Sequence, residues 1–344
     1  MKKHLNTLFV TTQGAYLAKD GETVRVKVEG GTRLRVPIHN LGGIVCFGNV
    51  GCSPYLLGFC GRRGVAVSFL TERGRFLARV VGPTSGNVLL RREQYRRADD
   101  ASSSAAIARA IVAAKVTNSR SVLARAARER SSDADGAVEL RTAMVKLRQL
   151  LGELERLSEL DSIRGIEGAA ARAYFEVFDH LILAPGDDFV FAGRSRRPPG
   201  DRVNALLSFC YTLLRHDVGA ALESVGLDPA VGFLHRDRPG RSGLALDLME
   251  EFRAFLADRL VLSLINLRQV KGKGFEIGES GGVWMDEATR KEVLVAYQNR
   301  KQDELTHPFL GEKTTVGMLF HLQALLLARF LRGDLDGYPP FVMQ

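Results

Sequence analysis

The chain has 344 residues, 45% of them hydrophobic and 25% charged, which is typical of a globular protein and predicts about two domains. Its net charge of +9 is compatible with nucleic acid, an anionic membrane surface or no specific partner. No run of about 18 uncharged apolar residues occurs and no secretory pattern opens the chain, so we expect no membrane association and a cytoplasmic location.

The four cysteines are Cys46, Cys52, Cys60 and Cys210. None of them forms a C-x-x-C pair, and three lie in apolar, glycine-rich surroundings. This pattern predicts buried free thiols in a reducing compartment and disfavours a zinc site.

Short β-like runs dominate the first part of the chain. Valine, threonine and phenylalanine alternate there with polar residues, and Asp20-Gly21 between two such runs predicts a hairpin. The segment SPYLLGFCGRRG predicts one helix among the strands. We therefore predict an antiparallel, sandwich-like β-domain over residues 1–88.

From about residue 89 the spacing of apolar residues becomes helical. Three stretches interrupt it, namely 131–137, 184–201 and 270–286, and a new helix is expected near Asp201 after Pro198-Pro199. The predicted fold class is α+β, with a larger, mostly α-helical catalytic domain over residues 89–344.

Acidic residues and one histidine stand out on three segments of the helical part. Glu167 lies early in a predicted helix beside small residues, His235 precedes a basic loop, and Asp247 and Glu250 share one face of the helix that follows. Each feature alone has an ordinary explanation: acids favour helix N-termini, and a single histidine is more often structural. Together they make an oxygen-rich set with one imidazole, which suits Mg²⁺ or Mn²⁺.

Several stretches resemble the CRISPR-associated endonuclease/integrase family, whose members insert new spacers. They are GIEGAAARAYF around Glu167, DRVNALLSFCYTLL around Asn204 and VGFLHRDRPGRSGLALDLMEEFR around His235, together with the N-terminal strands. The closing YQNRKQDELTHPFLGEKTT resembles the subtype I-C form. The resemblance covers essentially the whole chain.

This resemblance implies a metal site formed by Glu167, His235 and Glu250, with Asp247 and Asn204 nearby. It also implies a prokaryotic homodimer that joins a smaller second universal adaptation protein and holds double-stranded DNA. Glu251 is adjacent to the third ligand and is not excluded by spacing. Since it lies roughly 100° further round the helix, we expect Glu251→Gln to be nearly silent.

Basic residues near these segments are candidates for binding the DNA backbone. They are Arg196, Arg197, Arg238, Arg241, Lys271 and Lys273, with Arg236 as a further cation in the loop. Two other functions stay open from the residues alone: a metal-dependent DNA or RNA nuclease of another pathway, and a non-catalytic DNA-binding scaffold in which the acids are structural.

Overall fold

The computed structural model describes residues 6–72, 76–80, 82, 88–128, 136–184, 187–195, 198–279 and 281–343. The chain forms two compact units. The first comprises Met1–Gly86 with Leu294–Glu304 and Thr315–Met318, and the second comprises Asn87–Val293, Leu305–Thr314 and Leu319–Gln344. The prediction that residues 1–88 and 89–344 are domains that fold independently stays a prediction.

Two four-stranded sheets and a helix between their strands build the part of the first unit that lies within residues 6–82. The sheet orders are β1-β5-β7-β8 and β4-β3-β2-β6. The elements are β1 (Asn6–Val10), β2 (Tyr16–Asp20), β3 (Thr23–Val28), β4 (Gly31–Pro37), β5 (Leu41–Phe47), β6 (Gly51–Cys52), α1 (Pro54–Arg63), β7 (Ala66–Leu70) and β8 (Phe76–Val80). The hairpin at Asp20-Gly21 is confirmed, because β2 and β3 pair in antiparallel register around it.

The α+β class, with strands first and a mostly helical remainder, is confirmed. The sheets are mixed, however, which corrects the expectation of a purely antiparallel domain: β1 with β5, β5 with β7, and β2 with β6 run parallel. For β5 and β7 the reason is the helix between them, because a strand that returns through a helical crossover enters the sheet parallel to the strand it left.

Local signals explain the position of that helix. Ser53 caps its N-terminus by accepting a hydrogen bond from the Leu56 N–H at 3.2 Å, and Gly64 ends it with a left-handed φ of 67°. Its apolar face then packs into a core shared by strands of both sheets, including Leu17 and Ile44. Burial of this face holds the first unit together.

Helices dominate the rest of the chain. In chain order they are α2 (Val88–Asp99), α3 (Ala101–Arg128), α4 (Ala137–Leu154), α5 (Leu160–Glu176), α6 (Arg202–Val225), α7 (Gly243–Phe252), α8 (Arg259–Asn266), α9 (Glu287–Gln302) and α10 (Val316–Leu331). Two short strand pairs accompany them: β9 (Phe275–Ile277) with β10 (Val283–Met285), and β11 (Glu304–Thr306) with β12 (Lys313–Thr315).

The long helix α3 is the structural centre of the second unit, since α4, α5 and α7 all pack against it. A π-helical segment, Arg253–Asp258, joins α7 to α8. Such wide turns inside helices occur frequently at functional sites because they rotate the side chains that follow. Within the described part of the chain, no helix has both the length and the apolar character needed to cross a membrane.

Candidate active site

Glu250 lies in the middle of α7 and is almost completely removed from solvent, with 2% of its side chain exposed. Two cations flank its carboxylate: the Lys115 ammonium lies 2.8 Å from Oε2, and the Arg253 guanidinium lies 3.0 Å from Oε1. Burial alone would raise the pKa of Glu250, but the positive charges of Arg253 and Lys115 outweigh it and lower the pKa to about 2. Glu250 is therefore a buried, permanently ionised carboxylate.

Lys115 connects α5 and α7 through its single ammonium group. It projects from the middle of α3 with only 10% of its side chain exposed, and it donates a hydrogen bond to Oε1 of Glu167 as well as contacting Glu250. Glu167 itself keeps 28% of its side chain exposed. The packing of α5 on α3 thus covers the Glu167 carboxylate only in part. The small residues beside Glu167 in the sequence had suggested a more complete burial.

His235 is held by Asp247, which is completely buried on α7. The backbone N–H groups of Phe233 and Leu234 donate to Oδ2 of Asp247 at 2.6 and 2.9 Å, and the N–H of His235 donates to Oδ1 at 3.0 Å. The same Oδ1 lies 2.6 Å from Nδ1 of the imidazole. A neutral imidazole that donates from Nδ1 in this bond keeps the lone pair of Nε2 available to bind an ion.

Two glycines let the loop before α7 come this close to the helix. A Cβ at Gly232 would lie 2.6 Å from Oδ2 of Asp247, and a Cβ at Gly243 would lie 2.6 Å from the Ala230 carbonyl oxygen. Neither position has room for a side chain. The close approach places three consecutive N–H groups around one carboxylate and fixes the backbone on which His235 sits.

Glu251 points away from this cluster. It is fully buried, and its carboxylate accepts hydrogen bonds from the Tyr338 hydroxyl at 2.6 Å, the Phe341 N–H at 2.8 Å and the Gln323 amide at 2.9 Å. Burial raises its pKa to about 7 in spite of these three donors. Both oxygens of Glu251 are thus used by Gln323 on the last helix and by the C-terminal residues Tyr338 and Phe341, whereas the carboxylate of Glu250 faces Lys115 and Arg253.

Asn204 orders a neighbouring loop. Its side-chain oxygen accepts from Nη1 of Arg194 at 2.6 Å and from the N–H of Ser195 at 3.0 Å, while its amide donates to the Gly193 carbonyl at 2.7 Å. The Arg194 guanidinium lies 5.3 Å from the centre of the Tyr211 ring, and that of Arg253 lies 4.8 Å from it. Asn204 is therefore linked to Glu250 only through other side chains.

The predicted DNA-binding cations are scattered. Arg238, Lys271 and Lys273 are exposed, and Arg241 is half-buried in the loop before α7. Arg236 is exposed and forms an ion pair of 3.0 Å with Asp161 on α5. Arg196 and Arg197 lie outside the described residues.

The structure thus brings Glu167 and Glu250 together around one ammonium group and fixes His235 on Asp247. Within the described residues, no three histidine, cysteine, aspartate or glutamate side chains stand in an arrangement that could hold a metal ion as they are. Sequence reasoning missed Lys115 and Arg253. The signal for Lys115 was present, because it continues the buried stripe of Ile107 and Ile111 at four-residue spacing.

Comparison with known proteins identifies the family. The family described as CRISPR associated protein Cas1 matches residues 8–299. The chain belongs to the Cas1 family. A relative from Chlorobaculum tepidum, named CRISPR-associated endonuclease Cas1 1, is 57% identical over 344 residues, which cover 100% of both chains. The resemblance inferred from the residues is confirmed, while the subtype I-C form stays a prediction.

Solved structures share the fold of this Cas1-family chain. A chain from "Casposase bound to integration product" matches with a TM-score of 0.82 and 24% identity, over 98% of this chain and 93% of that one. A chain from "Cas6-RT-Cas1--Cas2 complex" also gives a TM-score of 0.82, with 22% identity, over 99% of this chain and 36% of that longer chain. At these identities the likeness establishes the architecture.

Proposed function

We propose that the chain is a metal-dependent DNA endonuclease and integrase of CRISPR adaptation. The observation that carries the proposal is the ionised, buried Glu250, held beside Glu167 and next to a histidine oriented by Asp247, in a member of the Cas1 family. A buried carboxylate flanked by cations is a costly arrangement that a packed core does not need. This cost in free energy is explained if the carboxylate takes part in a reaction at a phosphodiester.

The residues fit a divalent ion. Oε2 of Glu250 is buried, and in the described structure the Lys115 ammonium lies against it at 2.8 Å, the kind of positive partner that a metal ion could replace. Two carboxylates and one imidazole form the donor set, so Glu167, His235 and Glu250 would hold Mg²⁺ or Mn²⁺. When bound, such an ion polarises a phosphodiester and stabilises the charge that develops on it. Asp247 keeps the histidine in the tautomer that leaves Nε2 free to bind.

The proposed reaction is a transesterification on double-stranded DNA. The 3′-hydroxyl oxygen of a short fragment forms a bond with a phosphorus atom of the CRISPR repeat, and the bond from that phosphorus to the 3′-oxygen of the repeat strand breaks. The attacking hydroxyl loses its proton and the leaving 3′-oxygen takes one up, so the repeat strand ends in a new 3′-hydroxyl. With water as the nucleophile, the same site cleaves DNA. The endonuclease name of the Chlorobaculum tepidum relative and the integration product bound to the casposase support both activities.

We further propose that the chain acts as a homodimer together with a smaller partner, the second universal adaptation protein. One of the structural neighbours is part of a Cas6-RT-Cas1--Cas2 complex, which supports a partner of this kind. Two dimers flanking one partner dimer would hold the DNA fragment. The exposed cations Arg238, Lys271 and Lys273, with Arg241, are proposed contacts to its phosphates.

An integration assay tests the proposal. Labelled fragments with free 3′-hydroxyls are incubated with supercoiled DNA carrying a repeat, with Mg²⁺ or Mn²⁺, and with or without the smaller partner. We expect joining by the wild type and none by Glu167→Ala, His235→Ala or Glu250→Ala, because the three side chains act as one unit. Glu176→Ala, on the exposed end of α5, is the matched control.

The outcomes separate the rival functions. Cleavage without joining would assign the chain to a nuclease of another pathway. DNA binding without either activity would assign it to a scaffold. Wild-type rates in Glu250→Ala, at an unchanged circular dichroism spectrum, would remove Glu250 from the site.

A further inference from the structure

Lys115 is an unusual residue for the middle of a packed helix. Only 10% of its side chain is exposed on α3, and its neighbours one and two turns earlier, Ile111 and Ile107, are core residues. Burying an ammonium group is costly unless opposite charges surround it. Here the two carboxylates of Glu167 and Glu250 provide them.

The two cations beside Glu250 differ in what they touch. Arg253 lies one turn further along the same helix, contacts Oε1, and has its guanidinium over the Tyr211 ring, so packing holds it in place. Lys115 contacts Oε2 and also Oε1 of Glu167. Lys115 therefore pairs with the same two carboxylates that the proposed function assigns to a divalent ion.

We infer that Lys115 is an internal counter-ion which takes the place of the divalent ion between Glu167 and Glu250, and which must leave these carboxylates when the ion binds. This inference rests on the proposed function. A lysine suits the role because its charge is a single point on a flexible four-carbon stem, whereas a guanidinium is planar and more rigid. Lys115 is a positioning residue: it keeps two like charges together until the ion arrives.

Mn²⁺ affinity of the full-length protein tests the inference, measured by the paramagnetic resonance signal of free Mn²⁺. In Lys115→Met the competing charge is absent and the side-chain volume is nearly kept. We expect its dissociation constant for Mn²⁺ to fall about tenfold, since a unit charge a few ångströms away acts strongly at a buried site. Lys146→Met is the matched control, because Lys146 pairs with Glu176 on the surface at 3.9 Å. It should leave the constant unchanged.

A second measurement uses the unmodified chain, in case Lys115→Met does not fold. The wild type is treated briefly with an amine-acylating reagent, with and without Mn²⁺, and the modification of each lysine is read by mass spectrometry. Release of the ammonium from its two carboxylates should increase acylation of Lys115 several-fold, while Lys146 stays constant. Equal acylation of Lys115 in both conditions would overturn the inference.

The results distinguish this inference from the proposed function. If the wild type binds Mn²⁺ and Lys115→Met binds it no more tightly, the counter-ion role of Lys115 is overturned and the proposed function is not. Binding to Lys115→Met but not to the wild type supports the role and contradicts a metal-dependent wild-type reaction. If neither protein binds Mn²⁺, both ideas fail.

Discussion

At the scale of single residues, Asp247 holds both the backbone and the side chain of His235 through hydrogen bonds to its carboxylate. Its carboxylate accepts three backbone N–H groups of residues 233–235 and pairs with Nδ1 of His235. An amide has only one acceptor oxygen, so substitution by asparagine leaves some of these donors unpaired. The orientation of His235 and the path of the loop thus depend on one buried carboxylate.

We predict that Asp247→Asn lowers strand transfer and Mn²⁺ affinity by roughly 10- to 100-fold, as is usual when a group that orients a metal-binding histidine is lost. Rates and Mn²⁺ binding are measured side by side across a Mg²⁺ and Mn²⁺ titration. Asp237→Asn is the control, since Asp237 is exposed in the same loop. Full activity of Asp247→Asn would show that His235 needs no such support.

We expect Asp258, at the end of the π-helical segment, to make the stability of the protein depend on pH. Burial raises its pKa to about 6, although the Tyr211 hydroxyl donates to it at 2.6 Å. The ordinary pKa of the unfolded group is 3.8. The folded state therefore holds this proton more tightly. The stabilisation is complete below the unfolded pKa and is lost as the pH rises through about 6.

We predict that Asp258→Asn changes the slope of stability against pH. Relative to this variant, the wild type should lose on the order of 3 kcal/mol of unfolding free energy between pH 4 and pH 7. Urea denaturation of both proteins across this range gives the difference. Asp334→Asn, at an exposed ion pair, serves as control. Parallel pH profiles for the wild type and Asp258→Asn would contradict the prediction.

At the scale of elements, the C-terminal segment 338–343 is anchored to the helix that carries Glu250. Glu251 receives three hydrogen bonds from Gln323, Tyr338 and Phe341. Asn118 on α3 donates to the carbonyl oxygens of Glu251 and Phe341 at 2.7 and 2.9 Å. The segment thus ties α7 to α3, the two helices that carry Glu250 and Lys115.

This anchoring adds an expected effect on stability to Glu251→Gln. Sequence reasoning predicted a substitution that is nearly silent in strand transfer, and that stays a prediction. A buried carboxylate with three donors predicts in addition a loss of roughly 1–3 kcal/mol of unfolding free energy. Thermal denaturation measures it, and limited proteolysis should show earlier cleavage within residues 338–343. Glu155→Gln, on the surface at the end of α4, is the control. An unchanged melting temperature would mean that the network contributes little.

At the scale of the whole molecule, we expect the net charge of +9 to govern the proposed binding of the chain to DNA. Phosphate contacts release counter-ions, so the logarithm of the binding constant falls with the logarithm of salt by about 0.9 per contact on duplex DNA. This term depends on surface cations and is independent of the carboxylates around Lys115.

We predict that Glu167→Ala binds duplex DNA as tightly as the wild type and with the same steep salt dependence. Fluorescence anisotropy over a range of NaCl concentrations gives both slopes. Lys271→Ala combined with Lys273→Ala should reduce the slope by about two contacts, or roughly 1.8. A binding constant that does not change with salt would contradict an electrostatic interaction with the backbone.

The sequence by itself determined that strands come first and helices follow, the hairpin at Asp20-Gly21, the helix start at Asp201 and the family. These follow from local chemistry: turn residues, caps and the period of the apolar pattern are read within a few neighbours. Motifs around Glu167, His235 and Glu250 were likewise recognisable without coordinates.

Only the tertiary structure decided which side chains meet. Lys115 lies 52 positions from Glu167, so no local spacing could pair them, and the parallel strands depend on a crossover whose direction a single strand does not encode. The different environments of Glu250 and Glu251 could not be predicted locally either, because the groups that donate hydrogen bonds to Glu251 include Tyr338 and Phe341, which come from the far end of the chain. Charge balance inside a protein is set by such long-range packing, since burial and partner distance fix its energy.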